Sequence, residues 1–182
     1  MKKSDEYIAK IESYKPKDLI LLWNQIKNNT VENFWAQGKA FEYLILKAFK
    51  IENADVMWPL SVWEDGKEIE QIDGAVYCKG LSSIIECKDS NDEINFEPIA
   101  KIRSQLLRRP SSAIANVFSR SGYTDNALIL AQYNSPQTIL LWQQNEIEYA
   151  LKKKKFTEGL EIKYRNFVQK GIQDINIEFY KK

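Results

Sequence analysis

The sequence predicts an α/β domain in which helices flank a mixed central β-sheet, preceded by an N-terminal helical arm. Two observations support this fold class. Apolar residues recur at helical spacing in the first fifty residues and again after residue 96, whereas the stretch between them holds short apolar runs bounded by turn residues. The length of 182 residues allows one domain with a short extension.

The first thirty residues read as two helices that form the arm. Tyr7, Ile8 and Ile11 share one face of the first helix, and Pro16 suits the first turn of the second. A third helix is expected over residues 31–50, after a polar cluster that breaks the second. We therefore predict an N-terminal extension over residues 1–30 and a second unit over residues 31–182.

Strands and helices alternate in the rest of the chain. Residues 56–63 are strand-like, Asp65-Gly66 marks a turn, and Lys79-Gly80 separates two apolar runs in the pattern of a β-hairpin. The hairpin strands and later elements are expected at residues 72–78 (strand), 81–87 (strand), 96–108 (helix), 113–118 (strand), 125–133 (helix), 138–142 (strand) and 145–170 (helix or helix pair, interrupted at Gly159).

The composition excludes several kinds of active site. The chain contains no histidine, which rules out Ser-His-Asp and Cys-His catalysis, histidine zinc sites and histidine general bases. Its two cysteines are too few for a structural zinc site or a disulfide framework, and they fit a reducing cytoplasm. We also expect no membrane span and no signal peptide, since the chain has no apolar run of about eighteen residues.

The charge is unevenly distributed along the chain. Residues 51–98 carry twelve acidic residues against three lysines, a formal charge of −9, whereas the flanking sequence is basic and the chain as a whole carries +1. This pattern suggests a cation site beside a surface for polyanions, although acidic solvated loops would give the same pattern.

The predicted hairpin brings two carboxylates together. With Lys79-Gly80 as a two-residue turn, residues whose numbers sum to 159 face each other, so Asp73 faces Glu86. Carboxylates directly opposite on a hairpin lie about 5 Å apart at Cβ and repel each other. Lys88 projects from the same sheet face as Glu86, whereas the side chain of Cys87 points to the other face.

Two acids beside an ammonium group suit a divalent cation. Mg²⁺ prefers one or two carboxylates together with waters and phosphate oxygens, and it activates water for attack on phosphorus. A lysine at such a site can position or deprotonate the attacking water. Three simpler interpretations stand beside this one: a turn at Asp73-Gly74, a solvated Glu-x-Lys strand face, and a salt bridge between Asp73 and Lys88.

These residues resemble a known superfamily. Ile72-Asp73-Gly74, followed by Ile84-Ile85-Glu86-Cys87-Lys88, is similar to the Asp…Glu-x-Lys core of the PD-(D/E)xK nucleases, with Ile72 where the motif has proline. The element order is similar to that superfamily's restriction-endonuclease-like αβββαβ core. Segments 105–110, 118–124 and 139–142 look like those of small bacterial restriction-endonuclease-like members. The resemblance covers residues 33–171 and leaves out the first thirty.

The resemblance implies a Mg²⁺-dependent phosphodiesterase, in which Mn²⁺ could substitute. Asp73, Glu86 and the backbone carbonyl of Cys87 would bind the metal, and Lys88 would orient the water. Glu42, from the third helix, would be a further acid near the metal, or alternatively a boundary residue paired with Lys39 or Lys47. Two glutamines, Gln71 and Gln105, are weaker candidates behind the metal ligands.

A run of basic residues predicts DNA contact. Between residues 99 and 124 the chain has five basic residues, including Lys101, and no acid. The preferred phosphate contacts are Arg108, Arg109 and Arg120, with Ser119 as a hydroxyl donor. We thus expect a cytoplasmic, Mg²⁺-dependent DNA endonuclease of the restriction or defence kind, with a homodimer or partner subunit supplying target recognition. The alternatives are a repair or junction-resolving nuclease and a catalytically silent DNA-binding or scaffold module.

Overall fold

The computed structural model describes residues 3–133 and 135–180. Its helices are α1 (Lys3–Glu12), α2 (Pro16–Lys27), α3 (Lys39–Ile51), α4 (Glu97–Leu106), α5 (Asp125–Ala131), α6 (Gln144–Lys153) and α7 (Phe156–Lys170), and a 3₁₀ turn spans Ile177–Phe179. Its strands are β1 (Asp55–Met57), β2 (Leu60–Glu64), β3 (Lys67–Ile72), β4 (Gly74–Cys78), β5 (Leu81–Lys88), β6 (Ala113–Ser119) and β7 (Ile139–Trp142).

Five of these strands form one mixed sheet flanked by helices. The strand order is β1-β4-β5-β6-β7, in which β1, β4 and β5 pair antiparallel while β5, β6 and β7 pair parallel. One face packs on a core that includes α1, α2, α3, α6 and α7, and the other face packs on α4 and α5. The predicted fold class, an α/β domain with a mixed sheet, is confirmed.

The β4–β5 hairpin forms in the predicted register. Lys79 and Gly80 both have positive φ values, 53° and 74°, which is the backbone twist that a two-residue hairpin turn requires. Cys78 consequently pairs with Leu81, and the ladder continues to Gly74 opposite Ile85. The next position along each strand is Asp73 and Glu86, so the hairpin brings the two predicted carboxylates to its open end.

The segment before this hairpin differs from the prediction. Residues 56–63 are two strands, because Pro59 lacks the N–H that a continuous ladder needs. β1 joins the main sheet, while β2 pairs with β3 in a separate two-stranded ribbon that turns at Asp65-Gly66. β3 was not predicted, and the expected strand over 72–78 is instead divided at Asp73. The third helix begins at Lys39 rather than at residue 31, after Gly38 in the left-handed region at φ 78°.

Gly159 does not interrupt the last helical segment. The break lies at Lys154, which has a φ of 54°, between α6 and α7. Gly159 lies inside α7, where an added Cβ would approach Ile177 at 2.7 Å and the ring of Trp142 at 2.9 Å. The glycine is therefore required for close packing of α7 and not for a helix end.

The N-terminal helices share the main core. Tyr7 and Ile11 of α1 and Leu19 and Trp23 of α2 are buried in the same cluster as α3 and the sheet. A boundary at residue 30 stays a prediction, although the side chains on either side of it pack together. In the described part of the chain no helix is long and apolar enough to cross a membrane.

Gly74 permits the close approach of α3 and β1 to the start of β4. A Cβ at this position would lie 2.6 Å from Leu46 and 2.9 Å from the backbone oxygen of Met57. We expect Gly74→Ala to lower the free energy of unfolding by about 1–3 kcal/mol through overpacking, as measured by urea denaturation. Gly80→Asn is the control, because an added Cβ meets nothing within 4 Å there and asparagine tolerates the left-handed backbone. Equal stabilities of the two variants would contradict this account of Gly74.

Candidate metal centre and active site

The candidate site lies at the carboxyl end of β5. β5 runs parallel to β6, so their carboxyl ends lie at one sheet edge, and the start of β4 lies beside them. Glu86 and Lys88 project from one face of β5, toward α4. Cys87 projects from the other face and packs in the main core, as predicted.

Glu86 is a fully buried carboxylate held by two lysines. One carboxylate oxygen lies 2.8 Å from the ammonium nitrogen of Lys88, and the other lies 2.9 Å from that of Lys101 on α4. The lysine side chains are partly exposed, at 36% and 45%, whereas that of Glu86 is 1% exposed. The buried negative charge is thus contacted by cations that solvent can reach.

Asp73 is buried beside Glu86. Its carboxylate accepts a hydrogen bond of 2.8 Å from the backbone N–H of Cys87, which fixes it against β5. Burial raises the pKa of Asp73, and the neighbouring charge of Glu86 raises it further, against that hydrogen bond. Two carboxylates therefore repel each other at the end of the hairpin, as the sequence predicted.

Glu42, in the first turn of α3, extends the acidic cluster. Burial raises its pKa to about 7, and the charges of Asp73 and Glu86 act in the same direction against an ion pair with Lys39. The Lys39 ammonium lies 2.6 Å from the carboxylate. The sequence left two alternatives open for Glu42: a boundary residue paired with Lys39 or Lys47, and a further acid beside Asp73 and Glu86. The ion pair with Lys39 agrees with the first alternative, and the effect of the Asp73 charge on the pKa of Glu42 agrees with the second.

Lys88 is a hydrogen-bond donor in this arrangement. Burial tends to lower the pKa of its ammonium group, but the hydrogen bond to Glu86 and the charges of Glu86 and Asp73 outweigh burial, so the pKa is raised. A protonated lysine can orient a water or contact a phosphate, but it cannot accept a proton. Of the two roles that the sequence allowed, the structure favours positioning.

An open cleft of about 470 Å³ adjoins these lysines. Its walls include Lys88, Ser90, Glu93, Ile94, Asn95, Glu97, Pro98 and Lys101. The cleft follows the segment between β5 and α4 and gives solvent access to the lysines that contact Glu86. The site is accordingly a buried acidic cluster with an accessible basic rim.

The donors fit a hard divalent cation. Among the described residues, no three or more Asp, Glu, Cys or His side chains are grouped closely enough to hold a metal ion by themselves. Mg²⁺ rarely needs such a group, because it is commonly bound by one or two carboxylates with water completing the shell. Asp73 and Glu86 carry oxygens of this kind, and three lysines (Lys39, Lys88 and Lys101) lie beside the acidic cluster.

The two glutamines, Gln71 and Gln105, are joined by a hydrogen bond. Gln105 is buried, and its side-chain amide donates a 2.9 Å hydrogen bond to the backbone carbonyl of Gln71. The Gln71 side chain itself is exposed. Gln105 therefore fastens α4 to the end of β3, just before Asp73, and its predicted role behind the ligands remains a prediction.

The predicted phosphate contacts divide into two groups. Arg108 and Arg109 are paired with Glu70 on β3, and Arg108 is exposed. Burial tends to raise the pKa of Glu70, but the hydrogen bonds from the two arginines outweigh it and lower the pKa. Contact of these arginines with DNA stays a prediction. A phosphate group would have to replace Glu70 as their partner or bind beside it.

Ser119 and Arg120 differ from the prediction. Ser119 is fully buried, and its hydroxyl donates a 2.7 Å hydrogen bond to the carbonyl of Gly122. Arg120 is 6% exposed and forms an ion pair with Asp89 at 2.6 Å. Both lie at the end of β6, inside the packed sheet edge, so they support the fold here and do not face solvent as phosphate contacts would.

Sequence reasoning did not place Lys101 or Lys39 in the site. Lys101 was counted only in the basic run, although Ile99, Ile102 and Leu106 on α4 face the sheet and fix which side of the helix approaches β5. Which strand the helix covers depends on the parallel pairing of β5 with β6, and that pairing has no local sequence signal.

Glu42→Gln should stabilise the metal-free protein at about pH 8 and have a smaller effect at about pH 5. The carboxyl group of Glu42 has a pKa of about 7 in the folded protein, whereas in the unfolded chain its pKa is near 4.5. Between these two pH values the folded protein binds the proton and the unfolded chain has released it, so wild-type stability falls as the pH rises from 4.5 to 7. Glutamine avoids this loss. Melting temperatures in EDTA at the two pH values test it, with the exposed Glu64→Gln as control; equal changes at both pH values would contradict it.

Two solved structures are similar to parts of this chain at low sequence identity. No protein-family model matches the chain, and no curated protein matches it. A crystal structure of a protein of unknown function, AF1548, is 12% identical with a TM-score of 0.44, covering 56% of each chain. The DNA modification-dependent restriction endonuclease AspBHI is 14% identical with a TM-score of 0.43, covering 86% of this chain and 40% of that one. The chain thus spans about half the length of these structures, and similarity at this level does not bear on its activity.

Proposed function

We propose that this protein is a metal-dependent nuclease that hydrolyses phosphodiester bonds of DNA. The observation that supports this proposal most strongly is that Asp73 and Glu86 are buried together at the carboxyl end of β5, beside Lys88. This is the Asp…Glu-x-Lys pattern of the PD-(D/E)xK nucleases. In this proposal α3, β1, β4, β5, α4 and β6 correspond to the αβββαβ core, with the β2–β3 ribbon as an insertion.

Each side chain of the cluster has a role in this proposal. Asp73 and Glu86 would bind Mg²⁺ or Mn²⁺ through carboxylate oxygens, with the backbone carbonyl of Cys87 as a further ligand and Glu42 nearby. A bound Mg²⁺ lowers the pKa of a coordinated water and stabilises negative charge on phosphorus. The hydrogen bond from the Cys87 N–H fixes the Asp73 carboxylate against β5, beside Glu86.

The two lysines at Glu86 act on the substrate side of the cluster. Lys88 donates a hydrogen bond that orients the attacking water, because its raised pKa keeps it protonated. Lys101, which reaches Glu86 from α4 and lines the cleft, neutralises charge on the phosphate. In-line attack forms a bond from the water oxygen to phosphorus as the bond to the 3′ oxygen breaks; the water loses a proton to solvent and the 3′ oxygen takes one from solvent, which leaves a 5′ phosphate and a 3′ hydroxyl.

The ion pairs of the acidic cluster also favour an alternative function, a catalytically silent DNA-binding module. Lys88, Lys101 and Lys39 already balance Glu86 and Glu42 without a metal. A catalytically silent DNA-binding module could keep the cluster in this form. Restriction or defence remains our preferred setting for an active enzyme, with a homodimer or a partner subunit for target recognition.

Plasmid cleavage separates these functions. The purified protein is incubated with supercoiled plasmid and Mg²⁺, Mn²⁺ or EDTA, alongside Lys88→Met, which has a similar length without the charge. We expect nicked or linear DNA only with metal and wild-type protein. DNA binding without cleavage under every metal condition favours the silent module, and cleavage by Lys88→Met at the wild-type rate contradicts the proposed site.

A further inference from the structure

Arg120 links the N-terminal helices to the end of β5. Its guanidinium donates hydrogen bonds to the backbone carbonyl of Ile26 at 3.1 Å and to the side chain of Asn29 at 3.2 Å, both at the end of α2. The same group pairs with Asp89 at 2.6 Å and donates to Asn91 at 2.7 Å. One buried side chain therefore joins the arm to the segment that follows Lys88.

The backbone of Arg120 reaches the candidate site directly. Its N–H donates a 3.1 Å hydrogen bond to the carbonyl of Lys88, which pairs with Ser119 at the end of the β5–β6 ladder. Asn29 also donates a 3.0 Å hydrogen bond to Asn91, so the arm and the segment over 88–91 are connected twice. These contacts hold Lys88 and the segment that follows it against Arg120 and the arm.

We propose that Arg120 is a positioning residue through which the N-terminal helices hold Lys88 in the candidate site. The arm is then part of the catalytic architecture and not an appendage, although it lies outside the region that resembles a nuclease core. The catalytic consequence rests on the proposed function, whereas the structural coupling does not. Arg120 acts through the segment over 88–91, because it is buried here and does not face solvent as the phosphate contact predicted from the sequence would.

A substitution at Asn29 can test the contacts between the N-terminal arm and the segment over 88–91. Its φ of 54° is in the left-handed region, so Asn29→Gly removes the side-chain contacts without adding backbone strain. Arg120→Lys keeps a positive charge near Asp89 but loses the simultaneous contacts of the guanidinium. Glu12→Gln is the matched control, because Glu12 joins α1 to Lys47 on α3 at 2.9 Å without touching this network.

Two measurements on the full-length chain test the proposal. By hydrogen–deuterium exchange, peptides covering residues 88–92 should exchange at least about threefold faster in Asn29→Gly and Arg120→Lys than in wild type or Glu12→Gln. In DNA cleavage, kcat should fall about tenfold in Arg120→Lys and less in Asn29→Gly, with KM for DNA unchanged within about twofold.

The outcomes distinguish this proposal from the proposed function. Unchanged exchange at 88–92, or an equal change in Glu12→Gln, overturns the coupling whether or not the protein cleaves DNA. Faster exchange with unchanged kcat overturns the positioning role. If wild-type protein does not cleave DNA, the proposed function fails, and exchange alone then decides whether the arm holds this segment.

Discussion

Asp73→Asn should reduce Mg²⁺-dependent DNA cleavage by about a thousandfold, because a metal ligand contributes several kcal/mol of charge stabilisation and each 1.4 kcal/mol is about tenfold in rate. Asparagine keeps an oxygen that can accept the hydrogen bond from the Cys87 N–H, so the β4–β5 hairpin should remain intact. The substitution also removes the repulsion between Asp73 and Glu86, and the variant should be no less stable than wild type. Single-turnover cleavage rates at saturating Mg²⁺ provide the measurement.

The control for Asp73→Asn is Glu64→Gln, which removes an acid from the exposed β2 strand outside the site. Its cleavage rate should match wild type within about twofold, since exposed charges contribute little. Comparable losses in both variants would indicate a general effect of net charge on DNA binding. Wild-type cleavage by Asp73→Asn would remove Asp73 from the catalytic site.

Lys163→Ala should lower the free energy of unfolding by about 3–5 kcal/mol, the largest stability change that we expect. Lys163 is fully buried under Trp142, where it contacts Glu146 at 2.7 Å and donates hydrogen bonds to the carbonyls of Leu141 and Ile175. Its removal leaves the Glu146 carboxylate buried without a cation and two carbonyls without this donor. Urea denaturation followed by circular dichroism measures the loss.

Three further variants make the Lys163 prediction specific: Arg165→Ala, Glu146→Gln and the double variant Lys163→Ala/Glu146→Gln. Arg165→Ala removes an exposed residue of the same helix, which is paired with Glu161. This substitution should lower the free energy of unfolding by less than about 0.5 kcal/mol. Adding Glu146→Gln to Lys163→Ala should recover part of the loss, because the buried charge is then removed. A double variant as unstable as the sum of the two single ones would contradict the pairing.

The sequence predicted the core of the site because its geometry is local. A two-residue turn at Lys79-Gly80 fixes the hairpin register, and that register alone brings Asp73 next to Glu86. Strand alternation then decides that Lys88 shares the face of Glu86 and that Cys87 enters the core. No long-range pairing is needed for any of these three placements.

The remaining parts of the site depend on long-range packing. Lys101 reaches Glu86 because α4 packs on the face of β5 that Glu86 occupies, and Arg120 is buried among contacts that include the end of α2 and the segment after β5. Neither arrangement has a local signal, so the sequence places both residues only in the basic run between residues 99 and 124. β3 was missed for a different reason: four of its six residues are charged or amide residues, which masks the strand pattern.

Binding of Mn²⁺ in the absence of DNA tests the central claim most directly. Mn²⁺ is paramagnetic, so the free ion can be counted by electron paramagnetic resonance as protein is added, in parallel with Glu86→Gln and the Glu64→Gln control. We predict saturable binding to wild type and Glu64→Gln and at least about a tenfold weaker affinity for Glu86→Gln, since a hard cation requires the carboxylate. Equal Mn²⁺ affinities for wild type and Glu86→Gln would contradict a metal centre at the end of β5.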